Sequence, residues 1–588
     1  MRSILLGSDA ETGADVRIPE SAFATHFHLI GGTGKGKTTA LHTMLQPLMS
    51  NPFEKPCVII IDRMGNFSQE LLLWMSSRFC TDAVRKRLVY IQAAREDVVA
   101  TFNPLLYDTS AHRYYKIERT TEIILRAWES VNIEAMPRLA RWTSNAFSAA
   151  SQLGLTIPDC AHFLMPGSPY HQRLLELLPG PLQAEWAEIR QARGQEAMRI
   201  LDSSRNRLKP YFESDILRRI FGSSQHRLDM LRMMEEGRIV LVDLAPRNRL
   251  SGQLANTIGA LIINEVIATV RSLPRGVKYR TYLFLDEFQN FVGPDLESAL
   301  PETRQLGLNL VLSHQSFAQL ERGDYDLSGM IFAAQSRMIF GVQGEDADIL
   351  AHEVASLSYD AKRIKEELYS RRQLLKGHRL QTLEGGSEAE TNTSQDSTSS
   401  NKSTAASRGE SARPSQREAQ QNRSDTETSA RGEARSSGSS HATTRSWHQT
   451  LVPEHEEFLE LSSRTYSTFE EQKSEWAREI RQLRTGEAIL RLVNDGKLYR
   501  VNVKRSAPGF LGYDMQTLAR KLPHVLERMD RMIEENFQSD FFVSAETVDR
   551  EIEQRVQGLL QGPPVVIRPA PEAPEAAKES EKKSAFVS

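Results

Sequence analysis

Short runs of consecutive apolar residues recur along the first and middle parts of the chain. The run Val58–Ile61 ends at Asp62, and His28-Leu29-Ile30 precedes a glycine-rich loop and a helix predicted over 38–49. Further runs cover 238–243, 281–286, 308–313 and 338–340. Apolar runs without a polar alternation are typical of parallel strands that are covered on both faces. The pattern therefore predicts a doubly wound α/β domain.

Between these two groups of strands, residues 107–236 show helical periodicity and few β-branched runs. We interpret them as an all-helical insertion that divides the α/β domain into residues 1–106 and 237–382. The longest apolar stretch, Leu254–Val270, contains Asn256, Asn264 and Glu265. It is predicted to be a buried helix and not a membrane span, because three polar residues interrupt it.

The pattern changes again after the second group of strands. Residues 385–446 contain no Val, Ile, Leu, Met, Phe, Tyr or Trp, so they cannot bury enough apolar surface to offset chain entropy. A disordered Ser-rich linker is predicted over 383–446.

Order is expected to return in the C-terminal region. Ser467-x-x-Glu470 fits a capping box that opens a helix ending near Gly486. Alternating residues around Asn494-Asp495-Gly496 predict a β-hairpin over 489–503. We therefore expect a small α+β segment over 447–510, followed over 511–588 by helices and a loose tail.

Composition limits the classes of function. The 588 residues carry a net charge of -3, which excludes a broadly basic surface, so any DNA binding would need a local patch or a pore. The three cysteines are far apart in sequence and predict neither a zinc site nor a disulfide framework. The N-terminus is too poor in apolar residues for a signal peptide, so a cytoplasmic location is expected, with no membrane span of the chain's own.

The glycine-rich loop carries the most specific signal. Its residues match G-x-x-x-x-G-K-[ST] at every fixed position, between a predicted strand and a predicted helix. Backbone N–H groups of such a loop cradle phosphates, the lysine reaches the β- and γ-phosphates, and the hydroxyl binds Mg²⁺. ATP and Mg²⁺ are therefore the expected cofactors. The predicted nucleotide-binding residues are Gly31, Gly32, Thr33, Gly34, Lys35, Gly36, Lys37, Thr38 and Thr39.

Two further strand ends carry candidate catalytic residues. The run 282–285 ends in Asp286-Glu287; Asp286 is expected to bind Mg²⁺ together with Thr38, and Glu287 to polarise the attacking water. The run 308–313 ends near Gln315, which would sense the γ-phosphate if its strand lies beside the acidic one. A glutamine that merely caps a strand end is an equally good interpretation of the pattern.

The order of these motifs resembles the FtsK–HerA class of ATPases, and within it the ATPase domains of conjugative type IV coupling proteins. The resemblance covers about residues 20–360 and, more loosely, 450–505. The matching pieces are His26–Ile30 before the phosphate loop, the strand ending at Asp62, Phe102–Leu105, Pro137–Leu139, Asp286–Phe288, Arg304 within 303–307, Gln315 and Arg337.

This resemblance implies a RecA-like ATPase core that forms a hexameric ring around DNA, with an arginine from the neighbouring subunit completing each site. Arg304 matches the position of that arginine best and Arg337 second; a surface or ion-paired arginine is the alternative for each. Coupling proteins carry N-terminal transmembrane helices, so a link from this chain to a secretion channel would need another subunit. Asp62-Arg63 stands where the family often has Asp-Pro, which leaves the role of Asp62 open.

The sequence thus predicts a ring-forming, ATP-hydrolysing DNA translocase for DNA transfer or processing, with secretion or nuclease subunits as possible partners. The alternative is an ATPase that powers assembly or protein secretion in a type IV apparatus without threading DNA. A GTPase switch is disfavoured because the chain has no Asn-Lys-x-Asp motif.

Overall fold

The computed structural model describes residues 3–51, 53–107, 110–127, 136–192, 194–291, 296, 305–322, 325–326, 331–332, 334–392, 399–408, 423–432, 439–493, 496–505 and 507–561. The chain divides into two compact units. One comprises Met1–Asp360 with Thr468–Ser588, and the other comprises Ala361–Ser467.

An eleven-stranded sheet is the centre of the first unit. Its strands, in chain order, are β1 Ser3–Asp9, β2 Asp15–Pro19, β3 Phe27–Ile30, β4 Cys57–Asp62, β5 Leu88–Gln92, β6 Ile239–Asp243, β7 Thr281–Leu285, β8 Leu308–His314, β9 Ser336–Phe340, β10 Glu487–Arg491 and β11 Leu498–Val503. Their spatial order is β2-β1-β11-β10-β9-β3-β8-β7-β4-β6-β5. The seven strands from β9 to β5 are parallel, and the four at the other side pair antiparallel.

The parallel strands are apolar throughout because both of their faces are covered. In β4 every residue is buried. Ile59 and Ile61 belong to the core on one face of the sheet, whereas Val58 and Ile60 belong to the core on the other. This confirms the predicted doubly wound α/β core and explains why its strands show no polar alternation.

The described part of the insertion between 107 and 236 is helical, as predicted. Its helices cover Ser110–Arg126, Pro137–Gln152, Cys160–Phe163, Pro169–Leu177, Gly180–Glu185, Ala187–Gln191, Gly194–Glu213, Asp215–Gly222 and Met230–Glu235. The other α-helices are Lys37–Met49, Asn66–Ser76, Asp82–Arg85, Gly252–Ser272, Glu345–Ser358, Phe469–Gln482, Met515–Lys521, Pro523–Phe537 and Ala545–Gln561.

Short elements complete the first unit. The 3-10 helices are Glu20–Thr25, Phe288–Asn290, Phe317–Gln319 and Gly509–Gly512, and the short strand pairs are Val98–Val99 with Val543–Ser544 and Glu321–Arg322 with Tyr325–Asp326.

Within the described residues, one helix is long and apolar enough to cross a membrane, namely Gly252–Ser272. Its apolar window is 72% buried inside the molecule. Glu265, which interrupts the apolar run, is itself buried and pairs with Lys116 at 2.9 Å. The helix therefore lies in the core of this unit, as its interrupted pattern predicts.

The C-terminal helix and hairpin exist, with one correction to the cap. The capping box is formed by Thr468 and Glu471, one residue later than predicted, and the helix ends at Gln482, before Gly486. Ser467 is buried, so the exposed hydroxyl of Thr468 takes the cap position. The predicted hairpin is β10 and β11; residues 494–495 of its turn lie outside the described residues. Its pairing with β1 adds an N-terminal hairpin to the sheet, which the sequence analysis did not predict.

The second unit contains the segment over 383–446 that was predicted to be a disordered Ser-rich linker. Ile364–Asn392 pairs antiparallel with Ser439–Tyr466, and Ser399–Arg408 pairs with Arg423–Gly432. Residues 393–398, 409–422 and 433–438 lie outside the described residues. The long ribbon also takes residues 364–382, which the sequence analysis assigned to the α/β core.

Candidate nucleotide-binding site

The phosphate loop lies between the end of β3 and the helix Lys37–Met49. Gly34 and Gly36 have φ angles of 74° and 112°, which side chains other than glycine rarely adopt. At Gly31 a Cβ atom would come within 2.5 Å of the Phe340 Cβ. The glycine positions therefore follow from backbone conformation and from close packing against β9.

Lys37 extends along the inside of this loop. Its side chain is 7% exposed, and Nζ donates to the carbonyl oxygens of Gly31 at 2.5 Å and Gly32 at 3.3 Å. Burial lowers the pKa of Lys37, whereas the negative charges of Glu287 and Asp286 raise it. A buried ammonium held only by two neutral carbonyl groups is well suited to an anionic phosphate, which would compensate its charge.

The acidic pair follows β7, which is two strands away from β3 in the sheet. Burial raises the pKa of Asp286 to about 6, and the nearby charges of Glu287 and Asp62 act in the same direction. A bound cation would reverse this preference for the neutral form. Mg²⁺ prefers hydroxyl, carboxylate and water oxygens, so Thr38 at the start of the helix and Asp286 fit a magnesium ion.

A continuous set of polar contacts links the phosphate loop to the acidic pair. The Thr33 hydroxyl donates to Gln315 Oε1 at 2.8 Å, and Gln315 Nε2 donates to Glu287 Oε1 at 2.6 Å. The second carboxylate oxygen of Glu287 accepts from Gln289 Nε2 at 2.5 Å. The structure thus brings Gln315 into contact with both the phosphate loop and Glu287.

The backbone of Glu287 is unusual in a way that suits this set of contacts. It has φ 54° and ψ 48°, a left-handed conformation that non-glycine residues adopt at a cost of about 1 kcal/mol or more. Its carbonyl oxygen accepts from the backbone N–H and from the side chain of Asn290, at 3.0 and 2.9 Å. Asn290 therefore stabilises the turn that directs the Glu287 carboxylate to Gln315.

The C-terminal segment closes one side of the loop. Lys35 Nζ donates to the Leu483 carbonyl at 3.1 Å, and the Lys35 carbonyl accepts from the Gly486 N–H at 2.9 Å. A Cβ atom at Gly36 would lie 3.2 Å from Gly486. The Lys35 side chain thus anchors the loop to residues 483–486. Thr39 follows Thr38 in the helix and is half-buried.

Asp62, whose role the sequence left open, closes a turn. Its two carboxylate oxygens accept from the backbone N–H groups of Met64, Gly65 and Ser68 at 3.0, 3.0 and 2.7 Å. The side chain is 2% exposed, and burial raises its pKa. In this structure Asp62 accepts the backbone N–H groups at the start of the helix Asn66–Ser76.

The two candidate arginines differ in what the structure shows. Arg337 is 1% exposed, forms an ion pair with Glu353 and lies over the Phe332 ring at 4.7 Å. Burial lowers its pKa to about 9. A buried and paired guanidinium fits the ion-paired alternative better than an arginine that reaches a neighbouring subunit. Arg304 lies outside the described residues.

The family comparison matches the two halves of this site. A model described as the type IV secretion-system coupling protein DNA-binding domain matches residues 11–73 and 229–356. The first stretch contains the phosphate loop, and the second contains Asp286, Glu287 and Gln315. This confirms the resemblance to type IV coupling proteins. The helical insertion lies between the two matched stretches of the coupling-protein model, apart from residues 229–236, which belong to the second stretch.

Solved coupling-protein structures resemble the chain at low identity. The unbound monoclinic form of the bacterial conjugative coupling protein TrwBΔN70 has 14% identity and a TM-score of 0.48, and the match covers 86% of this chain and 90% of that one. TrwB in complex with the GTP analogue GDPNP has 14% identity, the same coverage and a TM-score of 0.49. VirB4 of Thermoanaerobacter pseudethanolicus has 14% identity and a TM-score of 0.38, over 62% of this chain and 92% of that one. No curated protein sequence gives a significant match.

A buried histidine pair, which the sequence did not predict, lies beside this coupling-protein-like site. His28 in β3 and His314 in β8 stack at 4.8 Å between ring centroids, with their Nε2 atoms 2.7 Å apart. His314 Nδ1 lies 3.1 Å from the carbonyl oxygen of Ser316, so it carries the proton and His314 Nε2 accepts from His28. The pair joins the strand before the phosphate loop to the strand before Gln315. Two histidines near strand ends were the only sequence signal for it.

Proposed function

We propose that this chain is an ATP-hydrolysing motor that moves DNA, acting as a ring of identical subunits. The observation that carries the proposal is the contact path from Thr33 through Gln315 to Glu287. Such a path lets the presence of a γ-phosphate change the position of the carboxylate that activates water, which is how hydrolysis is coupled to movement. The coupling-protein match supports DNA as the substrate that is moved.

Each side chain has a role in this proposal. The loop backbone and Lys37 hold the phosphates of ATP, and Thr38 and Asp286 hold Mg²⁺, which neutralises charge on the phosphates. Glu287 accepts the proton of the attacking water, and Gln315 reports whether the γ-phosphate is present. Arg304 from the neighbouring subunit stabilises the charge that develops on the transferred phosphoryl group.

The charge of the chain limits how DNA is held. With 73 basic and 76 acidic residues, DNA contacts are confined to a local surface, and the pore of a hexameric ring provides one. In this proposal the motor works in the cytoplasm, and another subunit connects it to a secretion channel or a nuclease.

DNA-stimulated turnover tests the proposal. The purified chain should hydrolyse ATP faster when DNA is added. Lys37→Ala should remove nucleotide binding and turnover, whereas Glu287→Gln should keep nucleotide binding and lower turnover by about 10²-fold or more, because only the proton acceptor is lost. Glu345→Gln, which changes an exposed glutamate, is the matched control and should keep normal turnover.

The outcomes separate the alternatives. ATP hydrolysis that DNA does not change would favour the motor that powers assembly or protein secretion without threading DNA. Normal turnover in Glu287→Gln would remove Glu287 from the mechanism. Electron microscopy of Glu287→Gln with ATP and DNA should show rings with DNA in the pore.

A further inference from the structure

We infer that the long ribbon of the second unit is a subunit interface, in which the strand Ile364–Asn392 of one copy pairs with the strand Ser439–Tyr466 of another copy. Within the described residues these two strands form a two-stranded sheet, so each has one edge without a strand partner. A two-stranded ribbon is marginal on its own, and an exposed strand edge is a template for pairing with another chain.

Apolar side chains on the ribbon lack cover. Leu374, Leu380, Leu451 and Leu459 are each between 59% and 65% exposed, and no residue of 361–382 or 449–466 is buried. Large exposed apolar side chains that recur along both strands mark a surface that another protein covers. Addition of further strands would place these side chains next to others on the same face.

The charges on the two strands identify the partner as a second copy. Residues 370–379 carry four basic residues and no acidic one, whereas the opposite residues 452–460 carry four acidic residues and no basic one. Within one chain, Arg372 pairs with Glu460 at 2.7 Å and Lys376 with Glu456 at 3.3 Å. The basic strand of one copy therefore attracts the acidic strand of a second copy at its free edge, and the acidic strand attracts a basic one in the same way.

This pattern selects one arrangement of copies. A symmetric contact of two basic strands, or of two acidic strands, would place like charges opposite each other, which is destabilising. A head-to-tail contact places the basic strand of one copy beside the acidic strand of the next, and the two run antiparallel when the copies are related by rotation. Contacts of this heterologous kind close into rings.

Closure removes the free edges. Repeated around the ring that we propose for the motor, alternating strands would form a closed barrel without an edge. The ribbon has register shifts at Ile364/Glu366, Leu368/Tyr369 and Leu375/Gly377, and such bulges increase twist and bend strands. Closure of the barrel rests on the proposed ring of subunits. Pairing of the ribbon strands of two copies does not depend on the proposed ATPase function.

Disulfide cross-linking between different copies tests this arrangement in the full chain. One variant carries Gln373→Cys on the basic strand and the other carries Glu457→Cys on the acidic strand, so no chain can bridge its own ribbon. The native Cys57, Cys80 and Cys160 are all buried. Neighbouring strands bring Cα atoms within about 4.5–5.5 Å, which permits a disulfide. Two basic strands separated by an acidic one are about 9–10 Å apart, which is too far for a disulfide between them.

We expect covalent dimers in the mixture and none in either variant alone. With random mixing, about a quarter of head-to-tail interfaces would join the two cysteines. Cysteine replacements at His455 and Leu459, on the same strand face as Glu457, cover a shift of register by two residues. Absence of cross-links at all three positions, or cross-linking of Gln373→Cys with itself, would overturn the inference.

A charge-exchanged chain tests the basis of the pairing. All eight charges are reversed, except at position 457 in the variant that carries cysteine there, which preserves attraction within one ribbon. Carried on this background, the two cysteine variants should cross-link to each other, but not to their counterparts with native charges. Equal cross-linking in every combination would show that charge does not select the partner. ATP turnover measured on the same samples separates failure of the ribbon interface from failure of the motor assignment. The reversed positions are Arg371, Arg372, Lys376, Arg379, Glu454, Glu456, Glu457 and Glu460.

Discussion

His28 and His314 show how much of the site depends on single side chains. Protonation of His314 Nε2 would put two N–H groups face to face, and a proton on His28 Nδ1 would have no acceptor among the described residues. Burial, with the charge of Arg337, lowers the pKa of both imidazoles, that of His314 to about 3. Both rings must therefore remain neutral for the two strands to stay in register.

The pair makes stability depend on pH. Because both pKa values are lower in the folded state, the unfolded chain binds more protons below about pH 6.5, and stability falls as the pH falls. We expect the free energy of unfolding to decrease between pH 7 and 5 by up to about 1.4 kcal/mol per pH unit for each imidazole. Denaturant unfolding at several pH values measures this slope.

The matched variants isolate the contribution of the pair. His28→Gln combined with His314→Gln should flatten the slope, whatever its effect on stability at pH 7. His524→Gln, which changes an exposed histidine, should leave the slope unchanged. Identical slopes in the wild type and the double variant would show that the pair does not titrate in this way.

The site residues that the sequence indicates most specifically are those with local spacing. The phosphate loop is recognisable because its glycines, lysine and threonine occupy eight consecutive positions. The contact of Thr33 with Gln315 spans 282 residues, and the histidine pair spans 286. The spacing of residues along the chain does not show which strand ends are neighbours in the sheet. The Thr33–Gln315 and His28–His314 contacts could therefore be identified only once the strand order was known.

At the scale of elements, the helix Pro523–Phe537 covers the outer parallel strand of the sheet. Asn536 is 7% exposed; its Oδ1 accepts from the Tyr90 N–H at 2.8 Å, and its Nδ2 donates to the Tyr90 carbonyl at 2.9 Å. One amide side chain thus replaces a ladder partner along the edge of β5.

Removal of this amide should be costly. Asn536→Ala leaves a buried donor and a buried acceptor of Tyr90 without partners, so we expect a loss of about 1–3 kcal/mol in the free energy of unfolding. Gln538→Ala, two residues later and exposed, should change it by less than about 0.5 kcal/mol. Equal stability of the two variants in thermal or denaturant unfolding would show that the helix does not protect the strand edge.

Element prediction succeeded where side-chain pattern and burial agree. The hairpin β10–β11 was found from its alternation, whereas the capping box was misplaced by one residue because Ser467/Glu470 and Thr468/Glu471 fit the same spacing.

At the scale of the assembly, the proposed role of Arg304 requires two subunits. A subunit with Arg304→Ala would keep an intact phosphate loop but would supply no arginine to the site of the neighbouring subunit. A subunit with Lys37→Ala would have an inactive nucleotide site but would still supply Arg304 to its neighbour. Each variant alone should be inactive, and a mixture should regain partial ATP turnover. An arginine finger contributes about 10³-fold or more to the rate, so the regained activity should be well above either background.

Controls make the complementation specific. Arg275→Ala, which changes an exposed arginine, should keep normal turnover. Near-normal turnover of Arg304→Ala alone would show that Arg304 is a surface residue. An inactive mixture in which mixed oligomers are demonstrated would show that Arg304 does not act on a neighbouring site.

The pairing of β1 with β11 has a consequence for how the chain is made. Gly7 lies opposite Val503, so β1 leaves the ribosome long before its partner β11 exists. The β1–β2 hairpin can form at once, but its outer edge stays open while the motor core, the helical insertion and the ribbon are synthesised. Contacts this distant in sequence form slowly and expose nascent edges to misassembly. Nascent chains that end before Glu487 would leave β1 without β11 and β9 without β10, and would be the species that chaperones bind.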